Sequence, residues 1–262
     1  MKELLGRKGA IPVLSVDWDY FFPNSEDFDW GHREETHVML FLEVLWSMRW
    51  SNHTLDGKHL AHEYYKPREK WRSFWDNIIT KDDGLMQLGI TESHKDIIDF
   101  IAPVLEQQMK LDIYNFDAHH DAGYGEETTP LDCGNWAEHA KLMNPNAQYT
   151  LIYPKWRIET PEKGMSNGNR PAAVDQVFYC VPKIPPPLFI FICRSGAWTP
   201  PWSDPQWLDF IEWWERHRNF TWNVKSHNEY SLKQRPFDIE TARKFYREKM
   251  EVLARHHKGG KK

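Results

Sequence analysis

The run Asn115-Phe116-Asp117-Ala118-His119-His120-Asp121 carries two carboxylates and one imidazole at alternate positions. It follows an apolar stretch, Leu111 to Phe116. At the end of a strand, a spacing of two turns Asp117, His119 and Asp121 toward one side. Imidazole with carboxylate is a donor set for Mn²⁺, Zn²⁺ or Fe²⁺. A second acidic pair, Asp17 and Asp19, closes the apolar run from Ile11 to Val16. Two carboxylates that close repel each other unless protons or a cation lie between them. Each pattern also has a plainer reading. The first is a polar strand exit in which Asp117 caps a helix, the second a solvated acidic turn.

The elements that must position these groups follow from the apolar patterning. Strands are expected at 11–16, 111–116, 148–153, 176–180 and 188–193. Helices are expected over 37–50, 71–79, 95–109, 205–217 and 238–255, with Pro103 inside the third and Asp238 as N-cap of the last. Residues 154–173 hold three prolines and two glycines and read as an irregular loop or lid. Strands alternating with helices imply a parallel α/β sheet, whose ligands gather at the carboxyl ends of the strands.

The 262 residues suit one large α/β domain, 1–262, with a basic tail from Arg255 to Lys262 expected to fray. A net charge of -5 argues against nucleic acid as the main partner. No apolar run is long enough to span a membrane and no apolar leader opens the chain. The three cysteines, 133, 180 and 193, show no CxxC spacing, which disfavours a disulfide framework or a thiolate zinc site and fits a reducing, cytoplasmic setting. Fourteen tryptophans supply either packing or the wall of a substrate groove; Trp136, Trp198 and Trp202, with the 154–173 loop, are the groove candidates.

Asp117-Ala118-His119-His120-Asp121 resembles the D-A-H-x-D motif of the arginase, agmatinase and formiminoglutamase superfamily, and Ser15-Val16-Asp17-Trp18-Asp19 resembles its S-x-D-x-D motif. Those enzymes take a further histidine from an earlier strand end, and Gly89-Ile90-Thr91-Glu92-Ser93-His94 stands in that place. The resemblance implies a three-layer, arginase/deacetylase-like parallel sheet and two Mn²⁺ ions. One ion would take His94, Asp117, Asp121 and Asp17. The other would take Asp117, His119, Asp17 and Asp19, so that Asp17 and Asp117 bridge. Asp121 would also carry the proton of the reaction.

In arginases the S-x-D-x-D motif follows D-A-H-x-D; here it comes first, which implies a rearranged strand order. That early-acid arrangement is similar to the peptide arginase branch, which converts arginine side chains of ribosomal peptides to ornithine. Cys133-Gly134-Asn135-Trp136 is also similar to that branch. It implies substrate contacts at Asn135 and Trp136 and a proton-shuttling role for His139. Arg194-Ser195-Gly196 stands where arginases carry Arg-Glu-Gly, whose Glu holds the guanidinium. Arg194 is retained as a substrate residue, but Ser195 has no charge, so Glu126, Glu127, Asp132 or Asp204 must substitute. Glu126 is preferred, five residues beyond Asp121. The expected substrate is therefore arginine within a peptide. The alternatives are a free-guanidine ureohydrolase, a one-zinc deacetylase-like amidohydrolase of the same fold, and a metal-stabilised scaffold whose Trp-rich face binds a protein.

Overall fold

The computed structural model describes residues 9–23, 39–52, 54–55, 58–59, 66–67, 71–78, 87–125, 130–165, 170–217, 223–226 and 229–259. Its strands are β1 (Ile11–Asp17), β2 (Thr54–Leu55), β3 (Lys58–His59), β4 (Gln87–Thr91), β5 (Leu111–Phe116), β6 (Ala147–Ile152), β7 (Gln176–Phe178), β8 (Phe189–Cys193) and β9 (Asn223–Ser226). Its helices are α1 (Met39–Asn52), α2 (Phe74–Ile78), α3 (Ile97–Leu105), α4 (Trp136–Met143), α5 (Asp204–His217) and α6 (Ile239–Gly259). β2 and β3 form a small antiparallel ribbon. The other seven strands form one parallel sheet in the order β7-β6-β5-β1-β8-β4-β9.

Every β1 residue is buried, as expected of a strand covered on both faces. Alternation sends Ile11 and Val13 to one face, where they pack with α3 and α4. Leu14 and Val16 go to the other, where they pack with Phe74, Trp75 and Ile78 of α2 and with Trp207, Phe210 and Ile211 of α5. The result is the expected three-layer α/β arrangement. α1 and α6 pack through Trp46, Trp50 and Ala242. No helix among the described residues is long and apolar enough to cross a membrane.

Chain order and sheet order diverge around β1. The chain enters at β1, crosses to β4, returns to β5, builds outward through β6 and β7, then inserts β8 between β1 and β4. Val16 is thereby in register with Phe116 on one side and Ile192 on the other. The carboxyl ends of β5, β1, β8 and β4 stand side by side, at the point where an open α/β sheet forms its crevice.

Some expectations need correction. The 71–79 segment is a 3-10 turn, Trp71–Ser73, followed by the short α2. α4, β9 and the β2-β3 ribbon were not anticipated, and β4 was implied only by the motif resemblance at His94. The basic tail is helical as far as Gly259, and residues 260–262 lie outside the described residues. Asp238 does cap α6, accepting from the backbone N–H of Glu240 and Thr241 at 2.9 and 3.2 Å.

Gly89 in β4 lies against Phe100 of α3, and a Cβ there would stand 2.9 Å from the ring. Gly89→Ala is expected to destabilise the protein by about 1–3 kcal/mol through overpacking, seen as a lower thermal midpoint. Adding Phe100→Leu should recover part of the loss. An unchanged midpoint for the single variant would refute this packing.

Candidate metal centre

The acidic motifs at the ends of β1 and β5 fold alike. Asp17 accepts from the N–H of Asp19 at 3.0 Å, and Asp117 accepts from the N–H of His119 at 2.8 Å. Each is a carboxylate bonding its own backbone two residues on, a tight turn that short acidic side chains favour. Because β1 and β5 are in parallel register, the two turns lie side by side, and Ala118 N–H donates to Asp19 Oδ1 at 3.2 Å. Asp19 is thus delivered by the 3-10 turn Trp18–Phe21, not by strand alternation. His119 and Asp121 likewise lie beyond the end of β5, and Asp121 reaches the site through a left-handed backbone, φ 49°. That conformation is unfavourable for a residue with a Cβ, and strain of this kind concentrates at functional sites.

His94 follows β4 and presents Nδ1 to three carboxylates at once. Asp17 Oδ2, Asp117 Oδ2 and Asp121 Oδ2 each lie 3.1 Å away. One imidazole proton cannot serve three acceptors equally. Three of these residues, Asp17, His94 and Asp117, bring ligand atoms within 4.8 Å of one another, an environment suited to a cation. On the other side of Asp117, Oδ1 lies 3.8 Å from His119 Nδ1, which is 2.8 Å from Asp19 Oδ2. Asp19 Oδ2 is buried against that imidazole. Two ligand groups emerge, Asp17-His94-Asp117 and Asp19-Asp117-His119, and Asp117 belongs to both. These buried groups can hold a metal. Asp17 falls in the first group only.

Electrostatics point the same way. Burial, and then the negative charge of Asp19, push the Asp17 carboxyl up to about 6. Burial followed by the charges of Asp121, Asp19 and Asp17 push Asp117 well above the usual carboxylate range. Burial opposes the charged form of His94, yet hydrogen bonds to Asp117, Asp121 and Asp17 outweigh it and hold the imidazole well above its ordinary value. A cation among these groups relieves the repulsion that raises the two carboxyls.

A second layer of contacts fixes the ligands. His94 Nε2 lies 2.7 Å from Ser15 Oγ, which leaves Nδ1 to face the carboxylates. Ser195, at φ 48°, donates its hydroxyl to Asp17 Oδ2 at 2.5 Å. Asn115 donates to Asp117 Oδ2 at 3.0 Å. Trp136 donates its indole N–H to Asp121 Oδ2 at 2.7 Å and lays its ring near His94, centroids 4.9 Å apart. The 154–173 segment braces the ligand loop. Arg157 Nε donates to Ala118 O at 2.5 Å, and Glu162 Oε2 accepts the His120 N–H at 2.7 Å. Ser15 stands in the S-x-D-x-D resemblance and Ser195 in the Arg-Ser-Gly run, but neither pattern marks them as the partners of His94 and Asp17. Glu162 carries no signal in the chain, because its partners are 38 residues or more away on the other side of β6, except for Tyr153.

Several substrate assignments change. Trp136 is fully buried and holds Asp121, so it is not a groove residue. Asn135 closes its own turn, accepting from Asp132 N–H and donating to Pro130 O. Arg194 is fully buried; its guanidinium pairs with Glu92 and Asp204 and donates to Lys233 O. It is a strut of the fold, with its donors committed inside the protein. Asp204 is held by Arg194 and Arg235. His139 is half-buried on α4, and neither ligand group includes it. Glu126 and Glu127 lie outside the described residues.

Removing an outer hydrogen bond should weaken metal binding without unfolding the chain. Trp136→Phe keeps the packing but loses the bond to Asp121, and Ser15→Ala loses the bond to His94. Each is expected to lower metal affinity by roughly 10–100-fold, measured by competition with a chromogenic chelator. Affinities within twofold of the parent protein would show that these contacts do not orient ligands.

No family model, curated protein or solved structure matches the chain, so its function has to follow from the chemistry of this centre.

Proposed function

We propose that the chain is a dinuclear, manganese-dependent hydrolase that cleaves the guanidinium of arginine side chains in a peptide, giving urea and ornithine. The observation that carries the reading is Asp117, whose two oxygens serve two separate ligand groups. A carboxylate shared in this way supports a pair of ions, and a carboxylate-rich set favours manganese over zinc. Asp17, His94 and Asp117 would hold one ion, with Asp121 beside them; Asp19, Asp117 and His119 would hold the other.

Bound as a pair, divalent ions lower the pKa of water and orient it for attack on an electrophilic carbon. The chain's own groups supply the rest. Trp136 and His94 both address Asp121 Oδ2, which leaves Oδ1 to take a proton from the attacking water. Water adds to the guanidinium carbon, and the bond from that carbon to the side-chain nitrogen breaks. That nitrogen receives the proton carried by Asp121. Of the four acids that could stand in for the missing charge at Ser195, Asp204 is held by two arginines and Asp132 accepts the Gly134 N–H. Glu126, with Glu127 next to it, remains as the group to hold the guanidinium.

Elemental analysis of the manganese-loaded protein should find two ions per chain. Asp117→Ala should cost both, and Asp19→Ala mainly one. A single tightly held zinc would end the dinuclear reading. An arginine peptide should then release urea and lose the mass of one carbon, two nitrogens and two hydrogens. Glu126→Gln should slow this with metal content intact. Faster urea release from free arginine or agmatine would move the substrate away from peptides. Acetate from an acetyl-lysine peptide, with no urea from any guanidine, would favour deacetylase-like chemistry instead.

A further inference from the structure

The ligands are not equally accessible. The side chains of His94, Asp17, Asp117, Asp121 and Asp19 are 1, 5, 1, 7 and 0 % exposed, whereas that of His119 is 17 % exposed. The mouth of the centre therefore lies on the His119 side. Among the described residues the ring beside it is Trp198, half-buried, with its centroid 4.9 Å from that of His119 at an interplanar angle of 48°. Trp198 is fixed from behind. It packs on the Trp46-Trp50-Ala242 cluster that joins α1 to α6. Its backbone N–H donates to Ser195 O at 2.8 Å, tying it to the turn whose hydroxyl holds Asp17.

We infer that substrate enters past His119 and that Trp198 is the specificity-determining wall of that entrance, its indole face receiving the planar guanidinium and the methylenes behind it. The entrance follows from exposure and ring geometry; the identity of the cation rests on the hydrolase reading above. Four carboxylates surround the centre, and two divalent ions would balance them, so the ligands themselves offer a cation no net attraction. An aromatic face attracts a cation without bringing a charge that competes for the metals. A flat indole also suits a flat guanidinium better than a tetrahedral ammonium does.

Two measurements on the manganese-loaded full chain separate the entrance from the chemistry. Hydroxyl-radical footprinting with peptide mapping reads side-chain access whether or not the protein turns over. Trp198→Leu should raise oxidation of His119 several-fold and leave His94 unchanged. Equal oxidation of His119 in parent and variant, or earlier oxidation of His94, would overturn the entrance. Kinetics on an arginine peptide reads recognition. Trp198→Leu should lower kcat/KM by roughly tenfold, mainly through KM and with both ions retained, while Trp198→Phe, which keeps a π face, should stay within about threefold. If phenylalanine is as poor as leucine, or if kcat falls with KM unchanged, the recognition role fails. If the parent protein releases no urea, the hydrolase reading and the recognition role fall together, and footprinting still decides the entrance.

Discussion

Four carboxylates and two imidazoles are drawn into the interior at the carboxyl ends of adjoining parallel strands, and their mutual repulsion governs the structure around them. Buried like charges are costly unless paired with a counter-charge. The two histidines supply part of it. The geometry asks for more, because Nδ1 of His94 faces three oxygens and the carboxylates of Asp19 and Asp117 both converge on the single imidazole of His119. A cation-binding centre answers both features with one physical cause.

The surrounding architecture holds strained turns in place. Asp121 and Ser195 both adopt left-handed backbones at the site, and both are braced. Trp136 and the Asp121 carbonyl bond to Ala137 N–H pin the first turn to α4. The second turn sits between Arg194, paired with Glu92 and Asp204, and Arg235, which bonds Asp204 and Gly196 O. Thr199 adds a bond to Arg194 O. A buried ion network of this kind is weak support for stability as such. Its position suggests that it preserves the conformation that sets Ser195 against Asp17.

This organisation also bears on the chemistry. The arginine that the motif comparison assigned to substrate is an internal strut, and the serine beside it is a hydrogen-bond donor to a ligand. The strand end that a free-arginine enzyme would use to grip its guanidinium is here turned inward to support the centre. In the proposed guanidine hydrolase, recognition would come from elsewhere, from an acid beyond Asp121 or from the Trp198 side of the centre. A peptide substrate suits such a site, because flanking residues can add binding energy that the reacting group lacks.

The sequence by itself determined the strand and helix rhythm, the burial of β1 and β8, and the identity of the clustered groups. Apolar runs ending in acids are local patterns, and a buried parallel strand must be apolar along its whole length. The motif resemblance also implied the grouping of Asp17 with Asp117, while alternation grouped residues only within each motif; the structure joins the two motifs through matching turns in register. Only the tertiary structure decided the strand order that sets β1 between β5 and β8. It alone assigned Ser15, Ser195, Trp136, Arg157 and Glu162 to supporting roles. Those contacts join residues from 15 to 178 positions apart, and no local pattern marks which partner each side chain takes. Whether an arginine or a tryptophan faces a ligand or the core depends on which elements pack above it, and packing is a property of the assembled sheet rather than of any segment.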